Sequence, residues 1–200
     1  MRRRRADALI FKPQCIPDVI LCEPQVRGDS RGYFLETFRQ DAFDQATSGK
    51  IEFIQDNESS SSYGVLRGLH FQLPPHAQSK LVRVITGAIL DVAVDIRQGS
   101  PTFGQHVAVE LTEENKHQLF IPRGFAHGFV VLSAQAIVAY KVDNYYAPEC
   151  DRGLAWNDPD INIDWQIAQQ DIKLSDKDMC QPLLADLSDK FQYGVNYYAQ

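Results

Sequence analysis

The sequence predicts a mainly β protein, an antiparallel sandwich or barrel, on three observations. First, Val, Ile, Phe and Thr concentrate between about residue 51 and residue 142, in short alternating runs. Second, Gly64, Gly68, Gly87, Gly99, Gly104, Gly124 and Gly128 punctuate those runs as turn signals. Third, the flanks are turn-rich and read differently, giving an N-terminal arm (1–50) and a C-terminal extension (143–200) around one domain. With 200 residues and 44% hydrophobic content, the chain can bury a sizeable core without disulfide staples.

The elements follow in order. Arg2 to Arg5 read as a solvated terminus. The first residues lack a continuous apolar stretch and a small-residue cleavage site, so no export signal is expected. A helix is predicted over 39–46, ended at Ser48-Gly49, with Phe38 and Phe43 on its buried side. Strands are predicted over 81–85, 88–96, 106–111, 118–121, 129–132 and 136–142. Within 88–96, Leu90, Val92, Val94 and Ile96 share one face, and Asp91 and Asp95 fall on the other. Helical extensions complete the chain: Ser175 can cap a helix with an acidic first turn, and 183–191 reads as a short terminal helix.

Charge narrows the partners. Twenty basic against 26 acidic residues leave a net −6, which disfavours nucleic acid and anionic membranes as partners. No apolar run approaches the roughly 18 residues of a membrane span. Cys15, Cys22, Cys150 and Cys180 form no C-x-x-C pair and fit no zinc spacing. They read as reduced packing residues of a cytoplasmic chain.

The densest polar cluster runs from Gln55-Asp56-Asn57 through Arg67 and His70 to Lys80. Strict alternation puts Arg67 out of phase with His70, unless Gly68 introduces a bulge. A base beside two cations suits an anionic substrate that loses a proton. Metal binding would want a second imidazole two residues after His70, where Gln72 stands instead, so no metal is expected. His127 lies between Gly124 and Gly128 and admits a structural and a ligand-facing reading equally. His106 and His117 read as surface residues. Tyr140 reads as a core tyrosine by position, although a buried phenol can also donate a proton. Serine-hydrolase, P-loop and Rossmann signatures are absent from the sequence.

These residues fall into ordered motifs. They are Asp29-Ser-Arg-Gly-Tyr-Phe-Leu-Glu36, Gln55-Asp-Asn57, Gly64-Val-Leu-Arg-Gly-Leu-His-Phe-Gln72 and Lys80-Leu-Val-Arg83. Asp91-Val-Ala-Val-Asp-Ile-Arg97, Ile121-Pro-Arg-Gly-Phe-Ala-His-Gly-Phe129, Tyr145-Tyr-Ala-Pro148, Trp156-Asn-Asp-Pro159 and Leu174-Ser-Asp-Lys-Asp178 continue the order. From about residue 16 to residue 178 the chain resembles the dTDP-4-dehydrorhamnose 3,5-epimerase family of nucleotide-sugar biosynthesis. The resemblance implies a cupin-type jelly roll, a homodimer with a site in each barrel, and neither metal nor cofactor.

It further implies conversion of dTDP-4-dehydro-6-deoxy-D-glucose to dTDP-4-dehydro-L-rhamnose. His70 would accept the proton, Tyr140 donate one on the opposite face, and Lys80 stabilise the enolate oxygen. Of the carboxylates Asp176 and Asp178, the resemblance assigns Asp178 to His70. Arg31 and Arg67 would bind the diphosphate. Glu36, Gln55, Asp56, Asn57, His127, Tyr146, Asp151 and Lys177 would contact substrate; Asp151 stands where the family has Glu. The competing expectation is a related enzyme that inverts one carbon or isomerises the ketone of a dTDP-deoxysugar.

Overall fold

A computed structural model describes residues 8–47, 49, 51–189 and 191–199. Arg2 to Arg5 and Ser48 lie outside them. The order begins with β1 (Leu9–Pro13), β2 (Ile20–Pro24), β3 (Arg27–Asp29), β4 (Gly32–Phe34) and helix α1 (Gln40–Thr47). It continues with β5 (Gln55–Ser62), β6 (Leu66–Gln72), β7 (Lys80–Thr86), β8 (Ala88–Asp95) and β9 (Arg97–Gln98). Next come β10 (His106–Thr112), β11 (Gln118–Ile121), β12 (Phe125–Val131) and β13 (Gln135–Val142). Strand β14 (Asp151–Gly153), helix α2 (Asp176–Met179) and strand β15 (Phe191–Gln192) complete it.

Two antiparallel sheets face each other. One has the order β1-β2-β11-β7-β13-β5, the other β10-β8-β12-β6-β14. Alternation sends Val82, Val84 and Val138 inward from the first and Ala93, Phe125 and Phe129 inward from the second. A second apolar layer covers the outside of the five-stranded sheet. There Leu66, Leu69 and Val94 pack against Trp165, Leu184 and Phe191 of the C-terminal extension. On the outside of the other sheet, Phe43 of α1 packs against Leu81 and Phe120. Full burial of one such side chain stabilises by about 1.5–3 kcal/mol.

Several elements differ from expectation for identifiable reasons. β1 and β2 come from the arm yet extend the six-stranded sheet. Pro13 and Pro24 mask them in the sequence, but Pro13 lies on an edge strand and Pro24 at the end of β2, beyond its pairing with β11. Residues 183–191 do not form the expected terminal helix. A single 3-10 turn, Leu184–Asp186, is followed by β15, which pairs in parallel with β9. Leu184, Leu187 and Phe191 mimic helical spacing, but Asp186, Ser188 and Asp189 are poor helix formers. His106 and His117, expected at the surface, are half-buried.

Gly68 supplies the break that alternation required. Its φ is +132° and the β6–β12 register shifts between His127 and Phe129. Arg67, which is exposed, and half-buried His70 consequently both line one cleft, while Leu66, Leu69 and Phe71 join the outer apolar layer. A Cβ at Gly68 would meet Gly128 Cα at 2.5 Å and the His127 carbonyl oxygen at 2.9 Å. Gly68→Ala is expected to cost at least about 2 kcal/mol in urea unfolding, through strain and overpacking together. Wild-type stability in that variant would refute the steric account.

Candidate active site

The interior opens into a cleft of about 460 Å³ bounded by Arg67, His70, Lys80, His127, Tyr140 and Asp178. A second lobe of about 280 Å³ shares His70, Lys80, Tyr140 and Lys177 with it, and adds Gln55, Asn57, Tyr146 and Asp151. These volumes suit a small organic ligand.

Local structure sets each position. Lys80 begins β7 between Ile121 of β11 and Val142 of β13, in phase with inward-facing Val82. Tyr140 of β13 pairs with Asn57 of β5, so both share the inner face. Asp178 arrives from outside the barrel on α2. Ser175 caps that helix, its Oγ accepting the Asp178 amide at 3.2 Å. This fixes Asp178 Oδ1 at 2.6 Å from His70 Nε2. Asp178 is only 4% exposed, while the His70 side chain stays 31% exposed towards the cleft. Of the two carboxylates in the motif, Asp178 is the one that meets the imidazole.

The electrostatics divide the groups by role. Burial pulls the His70 pKa below its ordinary value, and Asp178 only partly offsets that; Lys80 and Lys177 depress it further. Burial pushes the Lys80 ammonium down to about 8, against the attraction of Asp91 and Asp151. The Tyr140 phenol is raised by burial, with Arg67 opposing, and stays protonated at neutral pH. At pH 7 the cleft therefore holds a neutral imidazole, an ammonium and a phenol. That set can remove a proton from a carbon acid, stabilise the resulting oxyanion and return a proton.

Lys177 forms an ion pair with Asp151, which also accepts a hydrogen bond from Tyr146 Oη at 3.1 Å. His127 Nε2 lies 2.8 Å from Asp91 Oδ1, and both residues are buried. Asp91 Oδ2 has no hydrogen-bond partner among the described residues. Asp91 is a buried charged neighbour of His127 and Lys80 that the sequence-predicted site does not include. Its signal was a carboxylate inside an apolar strand, on the face opposite Leu90 and Val92.

Three predicted residues lie elsewhere in the single chain. Arg31 sits on the β3–β4 hairpin, its side chain 87% exposed and paired with Asp29 at 2.6 Å. Glu36 lines a surface groove beside α1, 3.6 Å from Arg39. Asp56 alternates with Gln55 and Asn57, so it faces outward and pairs with Lys141 at 2.8 Å. Among the described residues, no group of three His, Cys, Asp or Glu side chains could hold a metal ion. Likewise, no described helix is long and apolar enough to cross a membrane.

Because Asp178 raises the His70 pKa from 2.6 Å, Asp178→Asn is expected to lower it. Nuclear magnetic resonance titration of the His70 ring measures this directly. An unchanged or raised value would contradict the assigned contact.

Comparisons with known proteins bear on the family and the fold. The family model described as dTDP-4-dehydrorhamnose 3,5-epimerase matches residues 13–186. A curated 3,5-epimerase of that name from Shigella flexneri is 56% identical over 164 residues, covering 82% of this chain and 90% of the relative. A solved dTDP-6-deoxy-D-glucose-3,5-epimerase from Legionella pneumophila, in complex with dTDP-4-keto-L-rhamnose, is 45% identical with a TM-score of 0.89. That match covers 94% of this chain and all of the other. A 3'-monoepimerase from Streptomyces bikiniensis, in complex with dTDP-quinovose, is 36% identical with a TM-score of 0.80. It covers 86% of this chain and 87% of the other. The two facing sheets are the expected cupin-type antiparallel barrel. The chain belongs to the dTDP-4-dehydrorhamnose 3,5-epimerase family.

Proposed function

We propose that the chain epimerises dTDP-4-dehydro-6-deoxy-D-glucose at carbons 3 and 5, giving dTDP-4-dehydro-L-rhamnose. The observation that carries the residue roles is the His70–Asp178 contact at 2.6 Å, in one cleft with Lys80 and Tyr140. The carbon 4 ketone acidifies hydrogens on both neighbouring carbons. Neutral His70 removes one of these protons, and Asp178 orients the ring and stabilises the imidazolium that forms. Electron density moves onto the ketone oxygen, where the Lys80 ammonium stabilises it. Tyr140 then delivers a proton to the opposite face of the carbon, which inverts it. Solvent then takes the proton from His70 and returns one to Tyr140, and repetition at the second carbon completes the reaction. Bonds to hydrogen break and re-form with no net oxidation, so the chemistry draws on no redox cofactor.

Arg67 and Arg31 are the proposed diphosphate ligands, with Gln55, Asn57, His127, Tyr146, Asp151 and Lys177 along the cleft as substrate contacts. Glu36 and Asp56 face away from this cleft in the single chain, so neither is kept in the proposed contact set. Arg31 requires a second copy of the chain, so the proposed enzyme is a homodimer. Phe34, 71% exposed beside Arg31, supports this as apolar surface for a partner to cover; Tyr33 already packs against the Lys116 ammonium at 4.6 Å. A cytoplasmic location fits four cysteines that are all free thiols.

Nuclear magnetic resonance of the keto-sugar nucleotide in heavy water tests the reaction. Wild-type protein should exchange hydrogen at both carbons; exchange at one alone would establish a monoepimerase instead. His70→Asn should slow exchange about 10³-fold, within the range for loss of a general base. Full exchange in that variant would remove His70 from the mechanism. Tyr140→Phe should still exchange but lose inversion, and unchanged product would clear Tyr140 of its role.

The pH profile has a definite sign. Protonated His70 cannot accept a proton, so kcat should fall as pH drops through a value below the ordinary 6.5. Lys80 loses its charge near pH 8, so kcat should fall again as pH rises through it. Lys80→Gln should abolish the alkaline limb and lower kcat about 10²-fold. A limb that persists in that variant would assign it to another group.

A further inference from the structure

Three strand ends meet beside Lys80. Ser79 immediately precedes it and β7, Asp143 follows its partner Val142 at the end of β13, and Arg123 lies two residues beyond its partner Ile121 at the end of β11. The Ser79 amide donates to Asp143 Oδ1 at 2.6 Å, and Arg123 Nε donates to Asp143 Oδ2 at 3.1 Å. All three side chains are nearly inaccessible: Ser79 is 0% exposed as a residue, and the side chains of Asp143 and Arg123 are 3% and 10% exposed.

The C-terminal segment ties this knot. Tyr198 Oη lies 2.7 Å from Ser79 Oγ and accepts the Arg123 amide at 3.2 Å. The Tyr198 ring lies under the Arg123 guanidinium, 4.9 Å from its carbon to the ring centroid. The Tyr197 carbonyl accepts from Arg123 Nη1 at 2.7 Å. Tyr198 keeps 41% of its surface exposed, so its hold is through the hydroxyl and one ring face.

The same segment is anchored at its other end. Phe191 is buried in the layer outside the five-stranded sheet and stacks edge-on with Tyr197 at 4.8 Å. The segment therefore straps the outer layer of one sheet to the end of the other. It lies beyond residues 13–186, the part matched by the family model.

We propose that residues 191–198 form a positioning strap, in which Tyr198 fixes Lys80 by locking the three strand ends that flank it. The proposal rests on the reading of Lys80 as the oxyanion-stabilising group. A cation whose worth lies in preorganisation loses most of it when its strand is free to shift, and a displacement near 1 Å can cost up to about 10²-fold in rate.

Tyr198→Phe tests this, because it keeps the ring over Arg123 and deletes only the hydroxyl. We expect kcat for epimerisation to fall about tenfold while the Kd for dTDP stays within about twofold. Amides of residues 79–82 should exchange with solvent about tenfold faster. A purely structural strap would lower the melting temperature but leave kcat of the folded enzyme intact. A kcat within about twofold of wild type therefore overturns the proposal. So does a fall in kcat with unchanged amide exchange. Should Tyr198→Phe fail to fold, Ser79→Ala removes the other end of the same hydrogen bond and is read the same way. If the wild-type protein turns nothing over, the proposed function fails and the amides alone decide the strap. Faster exchange in the variant then supports it, and unchanged exchange overturns it.

Discussion

A strand with a strict period of two cannot present Arg67 and His70 to the same side, because they stand three residues apart. The irregularity at Gly68 removes that obstacle. It lets β6 keep Leu66, Leu69 and Phe71 in the outer layer while both polar side chains line one cleft. Everything else in the cleft is arranged around that break. Gly128 on the neighbouring strand is small where Gly68 needs room, with a hypothetical Gly68 Cβ only 2.5 Å from its Cα. His127, one residue earlier, is registered against His70. A bulge of this kind gives up ladder regularity for the aim of a side chain.

The second dependency is electrostatic. Removing a proton from carbon needs a neutral base beside a charged cation, a pairing that ordinary pKa values of about 6.5 and 10.4 already allow at pH 7 and that a water-poor cleft strengthens. Burial depresses the basicity of His70 and of Lys80 together. Asp178 and Asp91 then act in opposite corners, one holding the imidazole and the other attracting the ammonium. Because the His70 partner comes from α2, the barrel alone does not complete the site. The C-terminal extension contributes both the carboxylate and the apolar cover over the sheet that carries His70.

The legible parts of this design were those with a local signature. Alternation from 88 to 96 and the glycine turns gave the central strands, and the Ser175 cap gave α2. The β5 run Gln55–Ser62 has no apolar residue, so hydrophobic periodicity was silent there. Its period survives only in which polar groups face inward, Gln55 and Asn57, and which outward, Asp56. Asp91 and Asp95 were assigned the correct face, but that face is as buried as the apolar one. Asp95 is satisfied there by Arg97, Ser100 and Thr102. Motif order carried the long-range pairings, His70 with Asp178 above all, because 108 residues of separation leave no trace in local pattern.

An acidic chain that holds a nucleotide diphosphate poses an apparent conflict of charge. Distance resolves it. At physiological salt, fields between exposed charges are screened over about 8 Å, so the net −6 is felt weakly inside the cleft. Arg67, Lys80 and Lys177 line that cleft at close range, and the lower dielectric around the desolvated Lys80 ammonium strengthens its contacts beyond those of exposed Arg67 and Lys177. Lys177 is already occupied by Asp151, and its pKa is raised by that bond. A phosphate that displaced Asp151 would exchange one anion for another. The net gain in binding would therefore come mainly from Arg67 and from whatever arginine a second copy supplies. In the proposed dimer that second share falls to Arg31, which in the single chain is exposed and paired with Asp29.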